Sequence, residues 1–256
     1  MLKTFILRIF RGVPENQYWE EFELELKPFL NVNAALMEIQ SDPVTRKKER
    51  VAPVVWEQGC LEEVCGSCSM LINGRPRQGC TALIEPILQA SGSNSITLAP
   101  MTKFPLVRDL VINRDVMFEN LKKVHAWIDV DNSLDHGFGP KISPSLQETM
   151  YTLSTCMTCG VCSEGCPQVN KNSKFIGPAP ISQARLFNAN PVGKMQAKER
   201  LHPLMEEGGV SDCGNAQNCV QVCPKKIPLT ESLAVMGRQV TKQAFKDLIH
   251  LADTSS

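Results

Sequence analysis

Apolar and polar residues alternate along the first part of the chain and fall into helical periods later, and this change of texture divides it. Thr4-Phe5-Ile6-Leu7-Arg8-Ile9-Phe10 is rich in strand formers, and Trp19–Leu26 alternates with a period of two from Phe22 onward. Together they predict a β-hairpin. After Pro28, an apolar stretch of helical period over Asn31–Gln40, with Asn31 or Asn33 as its cap, predicts one helix. Ser69-Met70-Leu71-Ile72 runs into Asn73-Gly74, the dipeptide favoured by a type I′ turn, so a second hairpin follows. From about residue 105 the alternation fades. Helical periods appear over 107–121, 145–154, 181–190 and 229–251, while 136–140 and 177–180 read as glycine- and proline-rich loops. In the last segment Leu233, Met236, Val240, Ala244 and Leu248 recur at spacings of three and four, a stripe expected to face a core. The class is α+β, with a β-rich domain over 1–105 and a helical domain over 106–256.

Charge removes several functions. The 256 residues carry 27 Lys and Arg against 27 Asp and Glu, so the electrostatic attraction on which general nucleic-acid binders depend is missing and no nucleic-acid partner is expected. No run of about 18 apolar residues occurs, so no spanning helix is encoded. Arg8 interrupts the apolar start and no small-residue cleavage site follows, which reads as a mature cytosolic N-terminus. The chain holds no G-x-x-x-x-G-K-[ST], G-x-G-x-x-G or G-x-S-x-G segment, so it shows no nucleotide site and no catalytic nucleophile.

Cysteine changes the picture most. The chain has 11, and in a reducing compartment so many thiols form a ligand set rather than a disulfide set. Cys60-x4-Cys65-x2-Cys68-x11-Cys80 has the plant-type ferredoxin spacing for a 2Fe-2S cluster. Two irons sharing two sulfides need four soft anionic ligands converging on a small object, and one tight loop supplies three of them. Gly59 and Gly66 are placed to let backbone N–H groups approach sulfur. A structural zinc site is the alternative, although zinc ribbons ordinarily use paired Cys-x2-Cys units.

Cys156-x2-Cys159-x2-Cys162-x3-Cys166-Pro167 is the bacterial ferredoxin run, whose first three cysteines hold one cluster while the fourth reaches another. A partner run is required. Cys213, Cys219 and Cys223-Pro224 supply it, but Ala216 stands where the remaining cysteine belongs. Crossing the two runs gives Cys156, Cys159, Cys162 and Cys223 as a complete 4Fe-4S set. Cys166, Cys213 and Cys219 remain, three ligands with a methyl group in the fourth place, which predicts a 3Fe-4S cluster. A 4Fe-4S cluster completed by water or another group is the alternative.

A plant-type motif followed by two ferredoxin runs, the second lacking a cysteine, resembles the iron-sulfur subunits of succinate dehydrogenase and fumarate reductase over nearly the whole chain. The resemblance is carried by Trp56-Glu57-Gln58-Gly59-Cys60, Cys65-Gly66-Ser67-Cys68, Ile72-Asn73-Gly74, the run Cys156 to Pro167, Ala184-Arg185, and Asp212-Cys213 through Lys225. It implies a β-grasp ferredoxin domain followed by an all-α ferredoxin-like domain. It implies three clusters between FAD on a flavoprotein subunit and quinone at a membrane-anchor cytochrome b subunit carrying haem b. The 2Fe-2S cluster would lie nearest the flavin and the 3Fe-4S cluster nearest the quinone. The chain would then sit peripherally on the cytoplasmic side of the bacterial membrane.

Ubiquinone-reducing members of that family carry tryptophans soon after the first Cys-Pro and a histidine after the cysteine opening the last run. Here those places hold Gln168 to Lys174 and Gly214, which resembles the menaquinone-linked branch with a dihaem anchor. Iron-sulfur subunits of other flavin-linked dehydrogenases are the alternative reading within redox proteins. A cluster-bearing sensor or a zinc-stabilised interaction module is the alternative outside them. His125, His136, His202 and His250 show no mutual metal spacing and are read as surface or packing residues. Lys171, Lys174, Lys225 and Lys226 near the third cluster are read as a solvated face, with a face toward the membrane subunit or acidic lipid as the alternative.

Overall fold

A computed structural model describes residues 4–129 and 139–254. Thr4–Val13 (β1) and Asn16–Glu25 (β2) form the first hairpin, paired from Thr4 with Glu25 to Val13 with Asn16. Its alternation is one of burial, with Phe5, Leu7, Ile9 and Phe22 inside. Val32–Ser41 (α1) follows, and of the two candidate caps it is Asn31 whose side chain accepts the Ala34 N–H, at 2.8 Å. Ser69–Ile72 (β3) and Arg75–Gln78 (β4) are joined by Asn73 and Gly74, both at positive φ, 49° and 74°, as a type I′ turn requires.

Two elements here were not anticipated: Ile84–Ser91 (α2) and Ser95–Ala99 (β5). The sheet order is β2-β1-β5-β3-β4, with β5 parallel to β1 and antiparallel to β3. Val32, Leu36 and Ile39 of α1 share one core with Leu7, Ile9, Met70, Ile96 and Leu98 of the sheet, the expected β-grasp arrangement. Each such side chain stabilises the fold by about 1.5–3 kcal/mol.

The helical period over 107–121 fails in its first half. Leu106–Arg108 (β6) and Val111–Ile112 (β7) pair as a small hairpin, and only Asp115–Lys123 (α3) is helical. The cause is a buried charge. Asp109, at φ 49°, accepts the N–H groups of Gly12 and Val55 at 2.8 and 2.9 Å and pairs with the buried Arg11 at 3.3 Å, which fastens the turn to β1. Arg11 also pairs with Glu20.

Internal contacts gather into two compact units: Met1–Arg114 with Met157–Gly165, and Asp115–Cys156 with Cys166–Ser256. The second is helical, comprising α3, Pro144–Ser154 (α4), Pro178–Ala189 (α5), Ala197–Met205 (α6) and Leu229–Thr254 (α7), besides shorter turns. Helix α5 begins inside the segment that reads as a loop, because Pro178 at its first position gives up no hydrogen bond and already has helical φ. The core joins Val124, Phe175, Ile181, Leu201, Leu204, Leu233 and Met236. The stripe on α7 is core-facing at Leu233, Met236 and Val240, whereas Ala244 and Leu248 are exposed. At 26 residues α7 is about 39 Å long and outruns the 12-residue α5 and nine-residue α6 that cover it. Of the loop expected at 136–140, residues 136–138, with His136, lie outside the described residues.

Candidate metal centres

The first group is wound by left-handed residues. Leu61, Glu63 and Gly66 have φ of 61°, 58° and 76°, which turns the loop about the Cys60 sulfur. That sulfur accepts N–H groups from Glu62, Val64 and Cys65 at 3.4, 3.2 and 3.3 Å, and the Cys60 N–H donates to Cys65 Sγ at 3.4 Å. Cys68 and Cys80 are buried beneath the loop, with the Gly79 N–H donating to the Cys68 carbonyl at 3.0 Å. Gln78 and Ser69 brace the base, since Ser69 Oγ donates to the Gly66 carbonyl at 2.7 Å and Gln78 Nε2 to Ser69 Oγ at 2.9 Å. Arg114 donates to the Ser67 carbonyl at 2.8 Å and pairs with Glu57 at 2.5 Å. No cysteine-spacing rule identifies Gln78, Ser69 or Arg114: the first two bond each other and the Gly66 carbonyl, and Arg114 reaches a carbonyl 47 residues away.

The glycines act by close approach. An ideal Cβ on Gly59 would stand 3.1 Å from Cys65 Sγ, and one on Gly66 would stand 2.8 Å from the Cβ of Cys159 and 3.0 Å from the Met157 carbonyl oxygen. The first loop therefore abuts the second cysteine run inside the same unit. Cys159 and Cys162 flank the start of the one-turn helix Val161–Glu164. Glu164 fastens that turn by accepting from the Thr102 N–H and hydroxyl, at 2.9 and 2.7 Å, and from the Lys103 N–H at 2.9 Å. Cys156, at the end of α4, and Cys223 belong to the other unit, where the Ile227 N–H donates to Cys223 Sγ at 3.5 Å.

Cys166, Cys213 and Cys219 are brought together in the helical unit. They line one cavity with Ala216, Gly214 and Gln168, with about 330 Å³ of empty space including its mouth. Asn215 and Gln217, at φ 51° and 61°, turn the chain on either side of Ala216. Cys166 and Cys213 also pack against the helical core.

The thiols fit iron-sulfur clusters by their acidity as well as their placement. Cys65 is drawn down to about 6 by the Cys60 N–H, then by the Ser67 hydroxyl and N–H, so it offers a thiolate at neutral pH. Burial, and hydrogen bonding with Cys68, push Cys80 up to about 12. Burial and the neighbouring Cys166 and Cys213 push Cys219 up to about 11. Thiols raised in this way stay protonated at neutral pH unless a cation takes the proton's place, a charge that bound iron would supply. All 11 cysteines are free of disulfides.

Outside the cysteines, His125 approaches Asp129 and Glu199 at 3.3 and 3.4 Å, and His202 meets Asp247 at 3.0 Å. Lys174 pairs with Glu207 at 2.6 Å on the exposed surface.

Comparison with known proteins finds iron-sulfur domains in the same stretches of the chain. Residues 6–119 match the 2Fe-2S iron-sulfur cluster binding domain family, and residues 152–227 match the 4Fe-4S dicluster domain family. The succinate dehydrogenase iron-sulfur subunit of Bacillus subtilis is 56% identical over 230 residues, covering 90% of this chain and 89% of that one. The fumarate reductase iron-sulfur subunit of Wolinella succinogenes is 25% identical over 248 residues, covering 94% and 98%. In fold, a chain of the Mycobacterium smegmatis Sdh1 complex in the apo form superposes with a TM-score of 0.79 at 22% identity, covering 96% of this chain and 98% of that one. With plant-type and bacterial-type cysteine groups on a β-grasp sheet and a helical unit, the chain belongs to the iron-sulfur subunits of the succinate dehydrogenase and fumarate reductase family.

Proposed function

We propose that this chain conducts electrons between the FAD of a flavoprotein subunit, where succinate and fumarate interconvert, and quinone at a membrane-anchor cytochrome b subunit carrying haem b. Cys60, Cys65, Cys68 and Cys80 would hold the 2Fe-2S cluster in the N-terminal domain. In residues 106–256, Cys156, Cys159, Cys162 and Cys223 would hold the 4Fe-4S cluster by the ferredoxin spacing rule. Cys166, Cys213 and Cys219 would hold the 3Fe-4S cluster. The gathering of those last three thiols with Ala216 around one cavity carries the reading. Contact of Gly66 with Cys159 supports passage from the first ligand set toward the second.

When bound, the clusters supply one-electron acceptors; this chain's residues bury them, aim N–H groups at sulfur and exclude other reactions. Among the described residues no helix is long and apolar enough to cross a membrane, which suits a peripheral subunit held by its anchor on the cytoplasmic face.

Electron paramagnetic resonance on the complex tests the assignment. The air-oxidised sample is expected to show a 3Fe-4S signal, succinate to reduce the 2Fe-2S centre, and Ala216→Cys to remove the oxidised signal while raising iron content. An oxidised sample without that signal overturns the reading.

Gln168 and Gly214, where ubiquinone-linked relatives carry other residues, favour menaquinone as the partner quinone. The assembled complex is expected to reduce menaquinone analogues in preference to ubiquinone, and a strong preference for ubiquinone sinks that part.

A further inference from the structure

The cavity that gathers Cys166, Cys213 and Cys219 is lined on one side by the carboxamide of Gln168. Gln168 lies two residues beyond Cys166 and lines the cavity with Gly214, which follows Cys213 directly. Its side chain is half-buried, and among the described residues its carboxamide makes no hydrogen bond; Asn170 reaches only its backbone carbonyl. Its amide atoms are not closed off from solvent, so an acceptor bound inside the cavity would compete only with water for its two hydrogens. Gly214 makes the position possible. An ideal Cβ there would stand 2.4 Å from Gln168 Nε2 and 3.3 Å from its Cδ, so any larger residue at 214 evicts the amide from its place.

We propose that Gln168 is a positioning residue of the third centre, donating its carboxamide N–H to a sulfur of the cluster bound by Cys166, Cys213 and Cys219 and so raising its reduction potential. This rests on the ligand assignment above. The reduced cluster carries one more negative charge than the oxidised one, and a donor aimed at sulfur stabilises the more negative state. Gly214 acts through Gln168, by leaving the space its amide fills.

The test is a redox titration of the oxidised-state resonance signal in membranes containing the whole complex, with iron content measured alongside. Gln168→Leu, which keeps the bulk and removes the donor, is expected to lower the midpoint potential with iron content unchanged. Gln168→Glu, which replaces the donor by a negative charge, lowers it further. Gly214→Ala lowers it with Gln168 intact, and adds nothing when combined with Gln168→Leu, because both act on one hydrogen bond. Unshifted midpoints in Gln168→Leu and Gly214→Ala overturn the inference. So does a shift for Gly214→Ala that persists in full in the Gln168→Leu background. If Gln168→Leu loses iron, Gly214→Ala alone decides. A wild-type complex lacking the signal defeats the cluster assignment instead, and is thereby distinguished from failure of the role given to Gln168.

Discussion

At the scale of single residues, the thiols of one ligand set have been made chemically unequal. Cys65 is held near 6 by N–H and hydroxyl donors, whereas Cys80 is driven to about 12 by burial. A cysteine reacts with alkylating agents as its thiolate, and lowering the pKa raises the thiolate fraction at any pH below the ordinary thiol value. With the iron removed by a chelator, iodoacetamide at pH 7 is therefore expected to label Cys65 before Cys68, Cys80 or Cys219. Its rate should climb as pH rises through about 6 and level off above it. Peptide mapping after brief labelling checks this, and first labelling at Cys80 would contradict it. Single residues also explain where sequence patterns mislead. Arg11 and Arg200, both essentially unexposed, stand at positions a hydrophobic pattern scores as outward. Arg200 donates to the carbonyls of His125, Trp127 and Gly193 at 2.9, 2.5 and 2.6 Å, so a cation occupies a place ordinarily given to an apolar side chain.

At the scale of elements, the features legible in the sequence are those whose cause is local. The β1–β2 hairpin shows in period-two alternation, the β3–β4 turn in Asn73-Gly74, and the ligand loop in cysteine spacing, because each is fixed by neighbours no more than 21 residues away. Helix α6 was hidden by Arg200 on its inner face and by Pro203 in its interior, and α2 by Pro86 in its first turn. The β6–β7 hairpin follows from the bond between Asp109 and Arg11, 98 residues apart, which no local period records. The attachment of the 157–165 turn is of the same kind, resting on Glu164 and on donors at Thr102 and Lys103, 62 and 61 residues upstream. Glu164→Ala removes three hydrogen bonds to one carboxylate, partly exposed, at an expected cost of about 1–3 kcal/mol. Glu164→Gln keeps an acceptor oxygen and should cost less. Bleaching of cluster absorbance at a fixed elevated temperature in the assembled complex should accelerate in the order wild type, Gln, Ala. Equal rates in all three would show that Glu164 does not fasten the turn.

At the scale of the whole molecule, charge balance and the shortage of a spanning segment acquire a positive meaning. The chain carries 27 cationic and 27 anionic side chains, so no net field draws it to an anionic lipid surface. The longest helix among the described residues, α7, exposes Phe245, Leu248 and Ile249 at helical spacing beside Lys246 and Asp247, without the continuous apolar length a bilayer demands. On the function proposed above, the anchor subunit would confer membrane association, and the electron path would be divisible at the same place. In cells producing the flavoprotein subunit and this chain without the anchor, fractionation is expected to leave the chain in the supernatant. Succinate should still reduce the 2Fe-2S centre there, since that step needs only the flavoprotein, while quinone reduction is lost. Restoring the anchor should return both membrane attachment and quinone reduction together. Retention of this chain on membranes without the anchor would mean that a surface of its own binds lipid. Failure of succinate to reduce the first centre in the two-subunit fraction would mean that the path does not begin at Cys60, Cys65, Cys68 and Cys80.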